Sequence, residues 1–239
     1  MTTSKRPDAR IPTDLRPLSF ELGLQRNAAG SVLVRQGNTH VLCTVMVEEK
    51  VPAHRMASGG GWLTAEYAMM PGATAERQRR ERPSVSGRTA EIQRLIGRSL
   101  RAVIDLDKTG PRTFWIDCDV LQADGGTRCA SITGSYVAMA LALRKVFPNR
   151  PVTALPPPVA AISVGIVQGE LRVDLDYAED STAEVDLNYV LCPSGIVEVQ
   201  GTAEGRPFPR ERLNAMLDAA EAACQSLFAA QRVALGLEP

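Results

Sequence analysis

Twice along this chain a series of short strands gives way to a long amphipathic helix, and that order constrains the fold more than any other feature. Leu18 to Leu24 alternates apolar positions, the turn Asn27-Ala28-Ala29-Gly30 follows, and Ser31 to Arg35 and Val41 to Val47 continue a β-meander. Arg88 to Asp105 then reads as a helix, with Ile92, Leu95, Ile96, Leu100 and Val103 on one face. A strand through Phe114 to Leu121 leads to a second helix from Ser131 to Phe147. Beyond the proline-rich connector Pro151 to Pro158 the order repeats. Strands are expected at Val159 to Val167, Glu170 to Tyr177, Val185 to Leu191 and Ile196 to Gln200, before an Ala-rich helix from Arg210 to Val233. Runs of strands followed by helices predict an α+β architecture. The connector divides it into residues 1–150 and 151–239, folded as one compact unit.

Between the Phe114 strand and the second helix lies Asp124-Gly125-Gly126-Thr127-Arg128. Adjacent glycines let the backbone turn tightly and approach a ligand. A helix N-terminus offers unpaired N–H groups and a partial positive charge. With the Thr127 hydroxyl and the forked Arg128 cation, the run reads as a cradle for a phosphate-sized anion. A plain strand-to-helix turn would have the same glycines.

Two charged groups accompany it. Arg77, Arg79, Arg80 and Arg82 lie in a polar loop from Pro71 to Gly87, and Arg88 opens the first helix. Of 27 basic residues only four are lysine, and arginine suits bidentate phosphate contacts. The loop reads as an RNA- or DNA-backbone contact or as a solvated surface that Glu76 and Glu81 partly neutralise. The acidic group is Asp174, Asp176, Glu179, Asp180, Glu184 and Asp186, with Asp174 and Asp176 on one face of a strand opposite Leu175 and Tyr177. Gathered at one end of a sheet, such carboxylates either face solvent or hold a cation such as Mg²⁺. Spacing does not choose the pair.

Other classes find little support. Net charge is zero, five scattered cysteines form no C-x-x-C pair, and Met1 to Arg16 lacks the apolar core of a signal peptide. No apolar run approaches a membrane span, so a soluble cytoplasmic protein is expected. His40 and His54 are the only histidines: His40 adjoins a strand and reads as structural, and His54 has no acidic or nucleophilic neighbour, so nothing supports a Ser-His-Asp arrangement.

Long stretches resemble the bacterial ribonuclease PH family. They include Asp14-Leu15-Arg16-Pro17, Thr64 to Pro71 (TAEYAMMP), Ser86 to Thr89 running into Glu91 to Arg101, and Asp117 to Arg128. Asp174 to Tyr177, Asp186 to Asn188 and Glu198 to Gly205 complete the similarity, which covers essentially the whole chain. The resemblance implies an RNase PH fold, an α+β ribosomal protein S5 domain 2-like core with mixed or antiparallel sheets and packed helices. It implies a phosphorolytic 3′–5′ exoribonuclease that trims the 3′ ends of transfer RNA precursors and other RNAs, with inorganic phosphate as co-substrate and nucleoside diphosphate as product. By the resemblance, Arg88, Gly126, Thr127 and Arg128 bind phosphate, and Asp180 and Asp186 serve Mg²⁺ and catalysis. Arg77 and Arg80 fall in the part that contacts transfer RNA, although this loop is shorter than in many members and lacks their lysines. A homohexamer, a trimer of dimers, is expected. The rival is an RNA-binding ring subunit of an exosome-like assembly that has lost catalysis. Retention of Arg88, Gly126-Thr127-Arg128, Asp180 and Asp186 speaks against it. A small-molecule kinase with an S5-like fold would need a longer glycine-rich loop.

Overall fold

The computed structural model describes residues 6, 8–81, 84–151 and 154–238. Arg82 and part of the proline-rich connector lie outside them. The first sheet contains β1 (Leu18–Leu22), β2 (Gly30–Gln36), β3 (Thr39–Glu48), β4 (Trp62–Met69) and β5 (Thr113–Gln122), in the order β1-β2-β3-β5-β4. Its pairs are antiparallel except β4 with β5, which is parallel. Parallel neighbours need a crossover, and helix α1 (Gly87–Arg101) supplies it. Strand β4 escapes the sequence reading because its alternation rests on Leu63, Ala65 and Tyr67, with alanine a weak strand former.

Helix α2 (Thr127–Val146) follows β5 and starts four residues before the expected Ser131, directly on the glycine run. The second sheet contains β6 (Ala160–Val167), β7 (Glu170–Val173), β8 (Val185–Cys192) and β9 (Gly195–Ala203), in the antiparallel order β7-β6-β8-β9. The short helix α3 (Tyr177–Asp180) joins β7 to β8, and α4 (Arg210–Ala234) ends the fold.

The elements stack as sheet, helices, sheet, helix. The stripe Ile92, Leu95, Ile96 and Leu100 of α1 and the largely buried α2 share a core with Val32, Val34, Cys43 and Ile116 of the first sheet. Ala161 and Val190 of the second sheet join the same core. That explains why α2 is apolar nearly all round, as a helix enclosed between two sheets must be. Ile162, Val164, Leu187 and Tyr189 face the other way and pack on Met216, Cys224, Leu227 and Phe228 of α4.

One expectation is corrected here. Strand β7 ends at Val173, so Asp174 and Asp176 do not share a strand face. Asp174 takes a left-handed backbone, φ 56°, and turns the chain out of the sheet. Its amide donates to the Ser163 carbonyl at 2.7 Å, and its buried carboxylate pairs with Arg16. Asp176 caps α3 in a capping box with Glu179.

Candidate active site

Helices α1 and α2 pack together, and their N-terminal turns carry Arg88 and Thr127-Arg128. Ser86 starts α1 by accepting the Thr89 amide at 3.2 Å, which leaves Arg88 exposed on the first turn. Among the described residues Arg88 makes no hydrogen bond or ion pair. At α2 the N-cap is Gly126, φ 65°, and no side chain caps the helix, so its first N–H groups remain available to an anion.

The two glycines have different jobs. A Cβ on Gly125 would lie 2.5 Å from the Leu175 carbonyl oxygen, so this glycine lets the loop press against the α3 approach rather than against a ligand. A Cβ on Gly126 would meet the end of the Arg16 side chain at 3.2 Å and Ser163 Oγ at 3.7 Å, both side-chain atoms. Both residues have positive φ, which glycine adopts without strain.

The side chains of the cradle are held from beneath. The Tyr67 hydroxyl and Thr127 Oγ1 are 2.9 Å apart, both buried. Arg128 donates to Gln200 Oε1 at 3.2 Å, and its nearest carboxylate is Glu91 at 3.9 Å. Its charge is therefore oriented by an amide and only weakly offset by an acid.

Asp180 ends α3, and Asp186 is the second residue of β8. Burial pushes the Asp180 carboxyl upward, against the pull of Arg128 and Arg88. Burial also raises Asp186, and the Asp180 charge raises it further while Arg128 opposes. The structure thus brings Arg88, Arg128, Asp180 and Asp186 into one electrostatic group. Among the described residues Asp186 Oδ1 is buried with no hydrogen-bond partner, while Oδ2 receives only a 3.4 Å contact from Asn188.

A cation fits this arrangement, since it would meet the orphaned oxygen and relieve the repulsion between the carboxylates. No group of three or more His, Cys, Asp or Glu side chains gathers to hold a metal among the described residues. Arg77 and Arg80 are exposed in the loop before α1, and the Arg80 charge reaches Asp119 on β5. The structure does not join either to the four-residue group.

Sequence reasoning missed the residues that link the two loops. Arg16 donates to Asp174 Oδ1 at 2.7 Å and to the Asp124 carbonyl. Arg6 holds Glu179 through two hydrogen bonds of 2.8 and 2.7 Å, and Arg172 adds a third at 3.0 Å. The signal was an arginine in the Asp-Leu-Arg-Pro motif, whose partner lies 158 positions away.

The two family models that match describe domains 1 and 2 of the 3′ exoribonuclease family, over residues 14–145 and 157–223. The chain belongs to that family. It is 56% identical over 234 residues to a protein of Crocosphaera subtropica named Ribonuclease PH, covering 97% of this chain and 98% of that one. The Ribonuclease PH of Mycobacterium tuberculosis is 56% identical over 243 residues, covering 98% and 93%. Among solved structures, rice Rrp46 superposes with a TM-score of 0.80 at 19% identity, covering 97% of this chain and all of that one. A chain of the Archaeoglobus fulgidus exosome, solved with RNA bound to the active site, gives 0.78 at 19%, covering 93% and 91%. At such identity these likenesses speak for the fold alone, which is the α+β RNase PH fold.

Proposed function

We infer that Arg88 and the Gly126-Thr127-Arg128 helix start bind inorganic phosphate beside an RNA 3′ end, whose last phosphodiester lies toward Asp180 and Asp186. The protein is a phosphate-dependent 3′–5′ exoribonuclease that trims 3′ ends of transfer RNA precursors. A phosphate oxygen attacks the terminal phosphorus, the bond to the preceding 3′ oxygen breaks, and a nucleoside diphosphate leaves. The shortened RNA keeps a 3′ hydroxyl, so the reaction runs in both directions.

The observation that carries this reading is the exposed Arg88 and the uncapped start of α2 lying within electrostatic reach of two partly buried carboxylates, one of which has a buried oxygen with no hydrogen-bond partner among the described residues. Phosphate is itself the nucleophile, so the protein needs no Ser, Cys or His to attack. Its task is to bring two anions together and hold them in line. Arg88 and Arg128 offset the phosphate charge, and the open end of α2 orients it. Asp180 and Asp186 would hold Mg²⁺, which when bound neutralises the scissile phosphate and stabilises the leaving oxygen.

Arg77 and Arg80 are assigned to the RNA backbone, because they are exposed cations on the loop leading into the site. The assembly is assigned as a homohexameric ring, with exosome chains as the structural neighbours. Residues 1–150 and 151–239 act as one unit, since the phosphate loop and the acidic loop come from different halves. No helix among the described residues is long and apolar enough to cross a membrane. Five unpaired, buried cysteines suit the reducing cytoplasm.

The test incubates the protein with Mg²⁺ and an RNA bearing a single-stranded 3′ tail, with and without phosphate. Nucleoside diphosphate is expected only with phosphate, and Arg88→Ala is expected to abolish its release while RNA still binds. Monophosphate released without phosphate, or unchanged turnover of Arg88→Ala at limiting phosphate, would overturn the assignment.

A further inference from the structure

We propose that Tyr67 is a positioning residue for phosphate, acting through Thr127 by fixing which way the threonine hydroxyl donates. The inference rests on the phosphate-site reading above. Tyr67 lies on β4, pairs in register with Cys118 of β5 and is 4% exposed. Its hydroxyl reaches Thr127 Oγ1 at 2.9 Å, on the first turn of α2 beside Arg128.

Either oxygen of this pair can donate, and the two directions differ in consequence. If Thr127 donated to Tyr67, the phenolic proton would need another acceptor, and the buried Tyr67 hydroxyl has none among the described residues. A buried donor left unpaired is expensive. If Tyr67 donates to Thr127, the phenol is satisfied and the Thr127 proton remains free. The free proton can then go to an acceptor at the helix start, and an acceptor-only phosphate oxygen fits that need. The charges of Arg88 and Arg128 both reach the Tyr67 hydroxyl, so the hydroxyl pair sits among the cations assigned to phosphate.

Tyr67 is thus kept from the anion while setting the last hydrogen bond to it. Phenylalanine would preserve the ring packing and free Thr127 to rotate or to donate elsewhere. The role predicts an effect confined to phosphate, which a general packing defect would not produce.

Steady-state phosphorolysis, with phosphate and RNA varied separately, tests the proposal in Tyr67→Phe, Thr127→Val and the double variant. Tyr67→Phe is expected to raise the KM for phosphate about tenfold, the effect of roughly one hydrogen bond, with the KM for RNA within about twofold and kcat little changed. Thr127→Val is expected to raise the phosphate KM at least as much, and adding Tyr67→Phe to it should change nothing further. A wild-type phosphate KM in Tyr67→Phe, with Thr127→Val impaired, would overturn the Tyr67 role and leave the site reading standing. Wild-type values in both single variants would overturn the site reading as well. Additive effects in the double variant would mean that Tyr67 does not act through Thr127, and would sink the proposal. Should Tyr67→Phe not fold, 3-fluorotyrosine at 67 replaces it. This stronger donor of nearly the same shape should lower the phosphate KM, and an unchanged KM would overturn the proposal.

Discussion

Asp186 holds a carboxylate oxygen away from water with no donor to meet it among the described residues, and Asp180 adds a like charge nearby. Both carboxyls are raised chiefly by burial, so the folded protein holds these protons more tightly than the unfolded chain does. The sign follows from linkage. Stability from these groups is fullest below the unfolded carboxylate range, near pH 4, and is lost as pH rises through the raised folded values. At neutral pH the ionised pair therefore weakens the fold despite the pull of Arg128, and a bound cation would offset that cost. We expect Asp186→Asn to raise the metal-free Tm at pH 7 by up to about 2 °C, the shift made by somewhat under 1 kcal/mol in a chain of this size. The same change should cost orders of magnitude in phosphorolysis, as should Asp180→Asn. Mg²⁺ should raise the Tm of the wild type more than that of either variant. Calorimetry with and without Mg²⁺ checks this, and equal Mg²⁺ stabilisation of all three proteins would move the metal elsewhere.

At the level of elements, the site is a junction between a loop from the first sheet and a loop from the second. The N-terminal segment ties them. Arg16, 4% exposed, bonds the Asp174 carboxylate on one side and the Asp124 carbonyl on the other. Asp124 in turn accepts the Tyr177 amide at 3.1 Å, at the start of α3. Arg16→Ala would leave Asp174 as a buried charge without its closest partner. We expect a loss of about 3 kcal/mol or more in urea unfolding, because breaking one side of a buried pair costs more than removing both. Arg16→Ala with Asp174→Ala should therefore be less destabilising than the sum of the single changes. Strict additivity would mean that the pair does not hold the junction. The sequence could not reveal this link, since nothing local marks which carboxylate an arginine near the N-terminus will meet. The same reason explains the misread end of β7. Alternation continued through Tyr177, and a distant partner for Asp174 decided where the strand stopped. What was legible was local: the stripe on α1 and the glycine run opening α2 both follow from nearby residues. The choice of Asp180 and Asp186 among six carboxylates came from family resemblance. In the fold Asp174 and Glu179 are the more deeply buried, but each is paired with arginine, whereas the partly buried Asp180 and Asp186 make no ion pair among the described residues.

The whole molecule has zero net charge, so attraction to RNA must come from how its arginines are distributed. Arg77, Arg80 and Arg88 are exposed, whereas Arg6, Arg16 and Arg172 are buried against acids. Among the exposed cations, Arg77, Arg80 and Arg88 lie on the loop before α1 and at its start. Several exposed apolar groups lie on the sheets instead: Leu22 on edge strand β1, Met46 on β3, and Ile196 and Val199 on edge strand β9. Apolar edges of this kind are what a closed ring of copies would cover. Assembly and RNA capture should therefore separate. We expect the wild type to sediment as six chains at micromolar concentration, and the double variant Arg77→Gln, Arg80→Gln to do the same. The variant should bind a transfer RNA precursor more weakly, and its log affinity should fall less steeply with log salt, by about 0.7 for each single-strand phosphate contact removed. Its turnover on a short oligonucleotide that does not reach the loop should match the wild type. A single-chain mass for the wild type would overturn the ring. An unchanged salt slope would remove the loop from the RNA path, and a variant that loses its assembly would place these arginines at the contacts between copies.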